Sequence, residues 1–169
     1  MDANALRATQ APLKEKYKQD PGAARLTLRA RGEVDVEKLA CQVERNVSSS
    51  VAGLHPACGG SGAELCSGDM MLEALVACGG VTLASVATAM GVPVERATVL
   101  AEGELDFRGT LGVDRSAPVG FSAIRLTFDI TSSAPQDKLD KLLQLTERYC
   151  VVYQTLQTKP ALGAIVRRG

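Results

Sequence analysis

Leu72-Glu73-Ala74-Leu75-Val76-Ala77-Cys78-Gly79-Gly80-Val81-Thr82-Leu83 is built almost wholly of aliphatic and small residues, with one thiol at its centre. Ser67 upstream is a good N-cap, and Asp69 falls in the first turn, where negative charge suits the helix dipole. Gly91 and Pro93 downstream form a stop. The segment therefore reads as one helix from Ser67 to about Met90. It is apolar nearly all round, which marks a central, buried helix. Gly79-Gly80 in its interior costs about 1 kcal/mol per glycine relative to alanine. That cost points to close approach of another backbone beside Cys78, as a second copy of the same helix would provide. A bilayer span needs about 20 predominantly apolar residues. The run from Ala74 to Met90 is shorter and carries Thr82, Ser85 and Thr88, so a buried helix is preferred and no membrane partner is expected.

The flanks supply strands. Leu26-Thr27-Leu28-Arg29-Ala30-Arg31 alternates apolar and polar, the period of a half-buried strand, and Cys41-Gln42-Val43-Glu44-Arg45 does the same. The two can pair antiparallel through a connection at Gly32 to Lys38. His55 to Gly62 is a loop. Val94 to Thr110 reads as one or two strands, and Gly112 to Gly120 as a connection. From Phe121 to Ile130, residues Ile124, Leu126, Phe128 and Ile130 share one strand face. Gln136-Asp137 opens a last helical region with Leu139, Leu142, Leu143 and Leu145 as its apolar stripe. It breaks near Tyr149, Cys150 begins a new turn, and Lys159-Pro160 ends it. Residues 3–19 form an arm or short helix interrupted by Pro12. The chain thus divides into an N-terminal arm, 1–23, and a single domain, 24–169.

Composition narrows the function. The chain has 169 residues, enough for one domain with a sizeable core, and 46% of them are apolar. Nineteen basic residues balance nineteen acidic ones, so no global field favours nucleic acid or an anionic membrane. Trp is absent, and Phe and Tyr number three each, which leaves no aromatic platform for single-stranded nucleic acid. The N-terminus lacks a basic start followed by an apolar stretch, so no secretory signal is read. Five cysteines at irregular spacing (Cys41, Cys58, Cys66, Cys78, Cys150) are not a secreted disulfide framework. Reduced thiols in a cytoplasmic protein are the expectation. His55, Cys58 and Cys66 make a weak zinc pattern, since structural sites normally show four ligands in short paired spacings. No metal and no cofactor is expected. With His55 the only histidine and no nucleophile elbow, a Ser-His-Asp hydrolase is excluded.

Ser67-Gly68-Asp69, then Leu72 to Cys78, then Thr82-Leu83 and Val86-Ala87, together with Tyr149-Cys150-Val151-Val152 and Thr155-Leu156 downstream, resemble the two cysteine motifs of the OsmC/Ohr family. These are the osmotically induced protein C and organic hydroperoxide resistance proteins. The similarity spans roughly residues 24–157. It implies an α+β fold forming an intertwined homodimer, with antiparallel sheets wrapped around long central helices. It also implies thiol-dependent reduction of organic hydroperoxides or hydrogen peroxide, with Cys78 peroxidatic and Cys150 resolving. Arg29 would assist the thiol, with Arg31 as the alternative, and Asp69 or Glu73 would orient that arginine. Gly68 stands where the organic-hydroperoxide branch carries a Glu, and Val151 where Pro is common.

The chemistry needs a thiolate. Attack on a peroxide gives a sulfenic acid at Cys78, and Cys150 condenses with it to form a disulfide. Burial raises a thiol pKa, so a cation near Cys78 is expected to offset it. A helix N-terminus at Cys150 would lower that thiol in turn. Turnover requires an external dithiol reductant and a small hydroperoxide substrate. Cys66, at the start of the central helix, is an alternative resolving thiol. Against this chemistry stands the plain reading of Cys78 as a small buried hydrophobe. Two other functions fit the same fold, a binding protein for a small apolar ligand and a thiol redox sensor.

Overall fold

The computed structural model describes residues 3–35, 40–43, 52–63, 65–166 and 168. Its centre is helix α2, Ser67–Met90. Cys66, not Ser67, is the N-cap residue, without a side-chain capping bond, and Asp69 lies in the first turn as the dipole favours. Gly91 ends the helix in the left-handed region at φ 63°, its N–H bonded to the Ala87 and Thr88 carbonyls. Among the described residues this is the one helix long and apolar enough to cross a bilayer. It is a core helix here, with Leu72, Leu75, Val76, Leu83, Ala84 and Ala87 buried.

The strands β1 (Arg25–Asp35), β2 (Ala40–Val43), β5 (Arg96–Asp106) and β6 (Ala123–Thr131) form an antiparallel sheet in the order β2-β1-β5-β6. Two-residue strands β3 (Ala52–Gly53) and β4 (Leu65–Cys66) pair in parallel beside the start of α2. The fold is α+β, as expected. β1 and β2 pair as the alternation predicts, with Val34 opposite Cys41, although β1 runs on to Asp35. Glu44 and Arg45 lie outside the described residues.

The period of two puts Val99 and Ala101 of β5 inward, where they meet Leu72, Leu75 and Val76 of α2 and Leu126 and Phe128 of β6. Gly79 takes up the Phe128 ring: a Cβ there would lie 3.3 Å from Phe128 Cζ and 3.5 Å from Leu126 Cδ2. Within the chain, Gly79 is packed by β6 side chains. Helix α4 (Gln136–Tyr149) covers the C-terminal half of α2 through Leu142, which is fully buried with Leu83, Ala87 and Ala97. Helix α5 (Val151–Thr158) follows directly after Cys150. Residues 159–166 form neither helix nor strand.

Two local readings are corrected. Helix α1, Ala3–Gln19, continues through Pro12. Tertiary packing overrides the lost hydrogen bond: Tyr17 is buried with Ala57, Cys58 and Phe107, and its hydroxyl donates to the Ala57 carbonyl at 2.9 Å. The segment from Val94 to Thr110 does not end as a strand. β5 stops at Asp106, whose carboxylate accepts the Arg108 amide at 3.0 Å and caps the short helix α3, Phe107–Thr110.

That cap anchors the connection leading to Phe121. Arg108 Nε meets both Asp106 oxygens at 3.1 Å, Nη2 meets Oδ2 at 2.6 Å, and Nη1 reaches Asp114 at 3.2 Å. The Arg108 hydrogen bonds, opposed by burial, hold the Asp106 carboxyl below its ordinary value. A carboxylate with a lowered folded-state pKa stabilises above its unfolded value near 4 and loses that contribution as pH falls through the folded value. Asp106→Asn is expected to cost about 2 kcal/mol in urea unfolding at pH 7. The difference from the parent should shrink steadily below pH 4; a difference constant from pH 7 to pH 3 would contradict the assignment.

Candidate active site

Cys78 lies midway along α2, and Thr82 sits one turn later on the same face. Cys150 is the residue at which α4 ends and α5 begins, with extended backbone at φ −72°, ψ 108°. Its N–H closes α4 on the Thr146 carbonyl at 2.9 Å, and its carbonyl receives Gln154 of α5 at 2.9 Å. The break turns the chain so that the first amides of α5, which have no partners within their own helix, face the middle of α2. Both sulfurs are free thiols, and Cys150 is only 1% exposed.

Burial pushes the Cys78 thiol up. Hydrogen bonds from the Val152 amide, the Cys150 thiol, the Val151 amide and the Thr82 hydroxyl outweigh it, and Cys78 stands below its ordinary value. Cys150 moves the other way, to about 11. Burial is the largest cause, and both the hydrogen bond to Cys78 and the nearby Cys78 charge raise it further. The Tyr153 and Val152 amides favour its ionised form without outweighing these effects, and neither makes a capping bond to it. The arrangement is a Cys78 thiol held below its ordinary value beside a Cys150 that stays protonated at neutral pH.

One expectation changes. The α5 amides of Tyr153 and Val152 favour the ionised form of Cys150, but burial and the neighbouring sulfur outweigh them and leave it raised, while Val151 and Val152 also act on Cys78. Among the described residues neutral donors offset burial at Cys78: two amides, a hydroxyl and a thiol. The side chain of Arg29, the cation expected there, lies outside the described residues. Thr82 was legible as a residue four positions after Cys78, whereas the amides depend on where α4 breaks.

The other residues singled out by sequence are dispersed. Arg29 pairs opposite Glu102 in the β1–β5 register, and its side chain lies outside the described residues. Arg31 stands opposite Leu100 with its side chain exposed. Asp69, near the start of α2, is raised by burial and partly offset by His55. Glu73 is half-buried one turn further on. Cys66 is more than three turns of α2 from Cys78, about 18 Å along the axis at 1.5 Å per residue. Its electrostatic neighbour is Cys58, whose thiol is raised by burial and then by Cys66. His55 stacks on Phe107 at 4.9 Å and accepts the Ala57 amide on Nδ1 at 3.0 Å. Among the described residues no three His, Cys, Asp or Glu side chains converge.

Sequence reasoning did not find a cavity that opens one turn of α2 before Cys78. It measures about 280 Å³ and is lined by Leu75, Phe121, Ile124, Leu126, Tyr153 and Leu156 with a few small polar residues. Leu75 is one turn before Cys78 on α2, and Tyr153 follows the amide of Val152 that binds the sulfur. Neither cysteine lines it, but its apolar walls belong to the hydrophobic cluster that also holds Cys78 and Cys150.

The donor set makes a titration prediction. Alkylation of the parent by iodoacetamide should show one thiol ionising below the value of free cysteine, lost in Cys78→Ser. Cys150→Ala and Thr82→Ala each remove a donor and should move that ionisation to higher pH. An unchanged profile in both variants would rule out these contacts as its cause.

Comparison with known proteins bears on the same elements. The OsmC-like protein family matches residues 60–163, which contain both cysteines, α2 and the last two strands. The fold is similar to that of an OsmC-like hydroperoxide resistance protein from Jannaschia sp. CCS1, with a TM-score of 0.64 at 15% identity, covering 86% of this chain and 95% of that one. No curated protein matches the sequence. With the family match extending over more than half the chain, and both cysteines inside it, this protein belongs to the OsmC-like family.

Proposed function

We propose that this protein reduces hydroperoxides through a two-cysteine mechanism. The observation that carries the reading is that Cys78 of α2 packs against the cluster holding the buried Cys150, with the Cys78 thiol lowered and Cys150 raised. Family membership and the apolar cavity support it. The Cys78 thiolate attacks an oxygen of the peroxide. The O–O bond breaks with its electron pair leaving on the alkoxide, which takes a proton and departs as alcohol, or as water from hydrogen peroxide. Cys78 is left as a sulfenic acid. Cys150 then displaces the hydroxyl: an S–S bond forms, and the Cys150 proton leaves in the water released. The sulfurs have given up two electrons, and an external dithiol returns them.

The electrostatics suit this order. The Cys78 charge and hydrogen bond are among the causes that keep Cys150 protonated. Conversion to sulfenic acid removes that charge, so Cys150 ionises more readily after the first step than before it. The resting enzyme is thus biased toward one nucleophile, and the intermediate toward the other. In this reading Arg29, with Arg31 as the alternative, adds positive charge during attack, and Asp69 or Glu73 orients it. Cys66 has no part, being several turns away. The reduced thiols suit a cytoplasmic protein.

We also infer a homodimer. Met70, Ala74, Val81 and Ser85 are exposed along α2 at helical spacing, and the two larger apolar side chains are each 39% exposed. A second copy of the helix would cover this stripe.

Stopped-flow reaction of the reduced protein with cumene hydroperoxide should consume two thiols per chain. Cys78→Ser should abolish the reaction, and Cys150→Ser should leave a sulfenic acid trappable by dimedone. Oxidation no faster than that of free cysteine would overturn the proposal. In the same assay Arg29→Ala should slow thiol loss at least tenfold while Arg31→Ala leaves it near parental; the reverse result would transfer the role. Sedimentation equilibrium should give twice the chain mass, and a monomer at micromolar concentration would dismiss the dimer.

A further inference from the structure

We infer that Gly103 and Phe121 together set the size of the apolar cavity that opens one turn of α2 from Cys78, so that Phe121 discriminates hydroperoxides by the bulk of their organic group. The inference rests on the peroxide reading above and adds to it a specificity determinant. A Cβ on Gly103 would lie 2.4 Å from Phe121 Cε1 and 2.5 Å from Cδ1, distances no side chain tolerates. The ring lies directly on the bare backbone of β5, and the missing side chain is what admits it. Gly103 stands opposite Ile124 and follows Val99 and Ala101 on the face turned toward α2. The ring is therefore under the sheet, packed at the edge of the core, with Gly103 on one side and the cavity on the other.

The cavity walls and Cys78 belong to one hydrophobic cluster. Leu75, one turn from Cys78, and Tyr153, next to the Val152 amide, line the same space as Phe121. Its volume of about 280 Å³ holds about nine water-sized groups at roughly 30 Å³ each. That suits a compact branched or aromatic group such as cumyl, and is too small for a long acyl chain while Phe121 stays in place.

Phe121 is held on both sides. The connection before it is locked by Arg108 between Asp106 and Asp114. It is tightened where Gly109 lies beneath the carbonyls of Ala117 and Pro118; a Cβ on Gly109 would be 2.4 Å from the Pro118 oxygen. After it, Ser122 donates its amide and its hydroxyl to the Glu104 carbonyl at 2.9 and 3.1 Å. A ring pushed off Gly103 therefore moves toward the cavity, because the chain on either side is tied to β5 and to α3.

The test compares second-order rate constants for hydrogen peroxide, cumene hydroperoxide and a long-chain fatty acid hydroperoxide. It uses the parent, Gly103→Ala, Phe121→Ala and the double variant. Gly103→Ala should lower the cumene-to-hydrogen-peroxide ratio about tenfold by driving the ring into the cavity. Phe121→Ala should raise the long-chain-to-cumene ratio by a similar factor. The double variant should recover the parental cumene ratio or exceed it, because no ring remains to be displaced. If Gly103→Ala does not fold, Phe121→Ala and Phe121→Leu decide the matter with graded increases in the long-chain ratio. Ratios unchanged in folded variants would overturn the role of Phe121 while leaving the peroxidase reading intact. A parent that reacts with none of the three faster than free cysteine overturns both.

Discussion

The contact between the Cys78 sulfur and the first amides of α5 is the constraint on which the site depends. A thiol in the middle of a buried helix is ordinarily inert, since the surrounding apolar side chains disfavour its charge. Here the break between α4 and α5 delivers two amides with no partners in their own helix to that sulfur. Three packing arrangements have to agree for this to happen. α2 must lie across β1, β2 and β5, α4 must cover its far half through Leu142, and the chain must turn at Cys150. Each buries apolar surface, so the geometry around the sulfur is held by the same hydrophobic effect that builds the core.

Much of this was legible in the sequence. The extent of α2, its stop at Gly91, the β1–β2 pair, the inward face of β6 and the break at Cys150 follow from periodicity and from the punctuation of Gly and Pro. These are local signals, and the packing here agrees with them. What escaped depends on contacts distant in the chain. That Phe128 of β6 would be seated on Gly79 has no sign in the sequence. Pro12 was read as an interruption because the docking of Tyr17 onto Ala57 joins residues forty positions apart. The end of β5 was missed because Asp106 and Arg108 look like strand alternation until their side chains close the cap.

The two cysteines make the same point at the level of chemistry. Sequence named the pair through resemblance, and the structure brings them together. It did not give the direction of tuning. Position at a helix start suggested that Cys150 would be the acidic thiol, whereas its near-complete burial and the adjacent sulfur push it to about 11. The amides of that helix act on the thiol facing them from α2. Which sulfur benefits from a helix end is a question of direction in space, and no spacing rule carries it.

The two amides that act on Cys78 have a consequence for how the helix end behaves when the sulfur changes state. In the reduced protein the amides of Val151 and Val152 face a thiol whose ionised form they favour. If the two sulfurs join in a disulfide, as the proposed mechanism requires, that ionised form is lost and the start of α5 holds donors facing a weak, neutral acceptor. The oxidised form would then be the looser one at this junction. Loosening would fall on the segment that buries Cys150, the sulfur an incoming dithiol must reach or release. Oxidation would in this way open its own route to repair, and reduction would close it again.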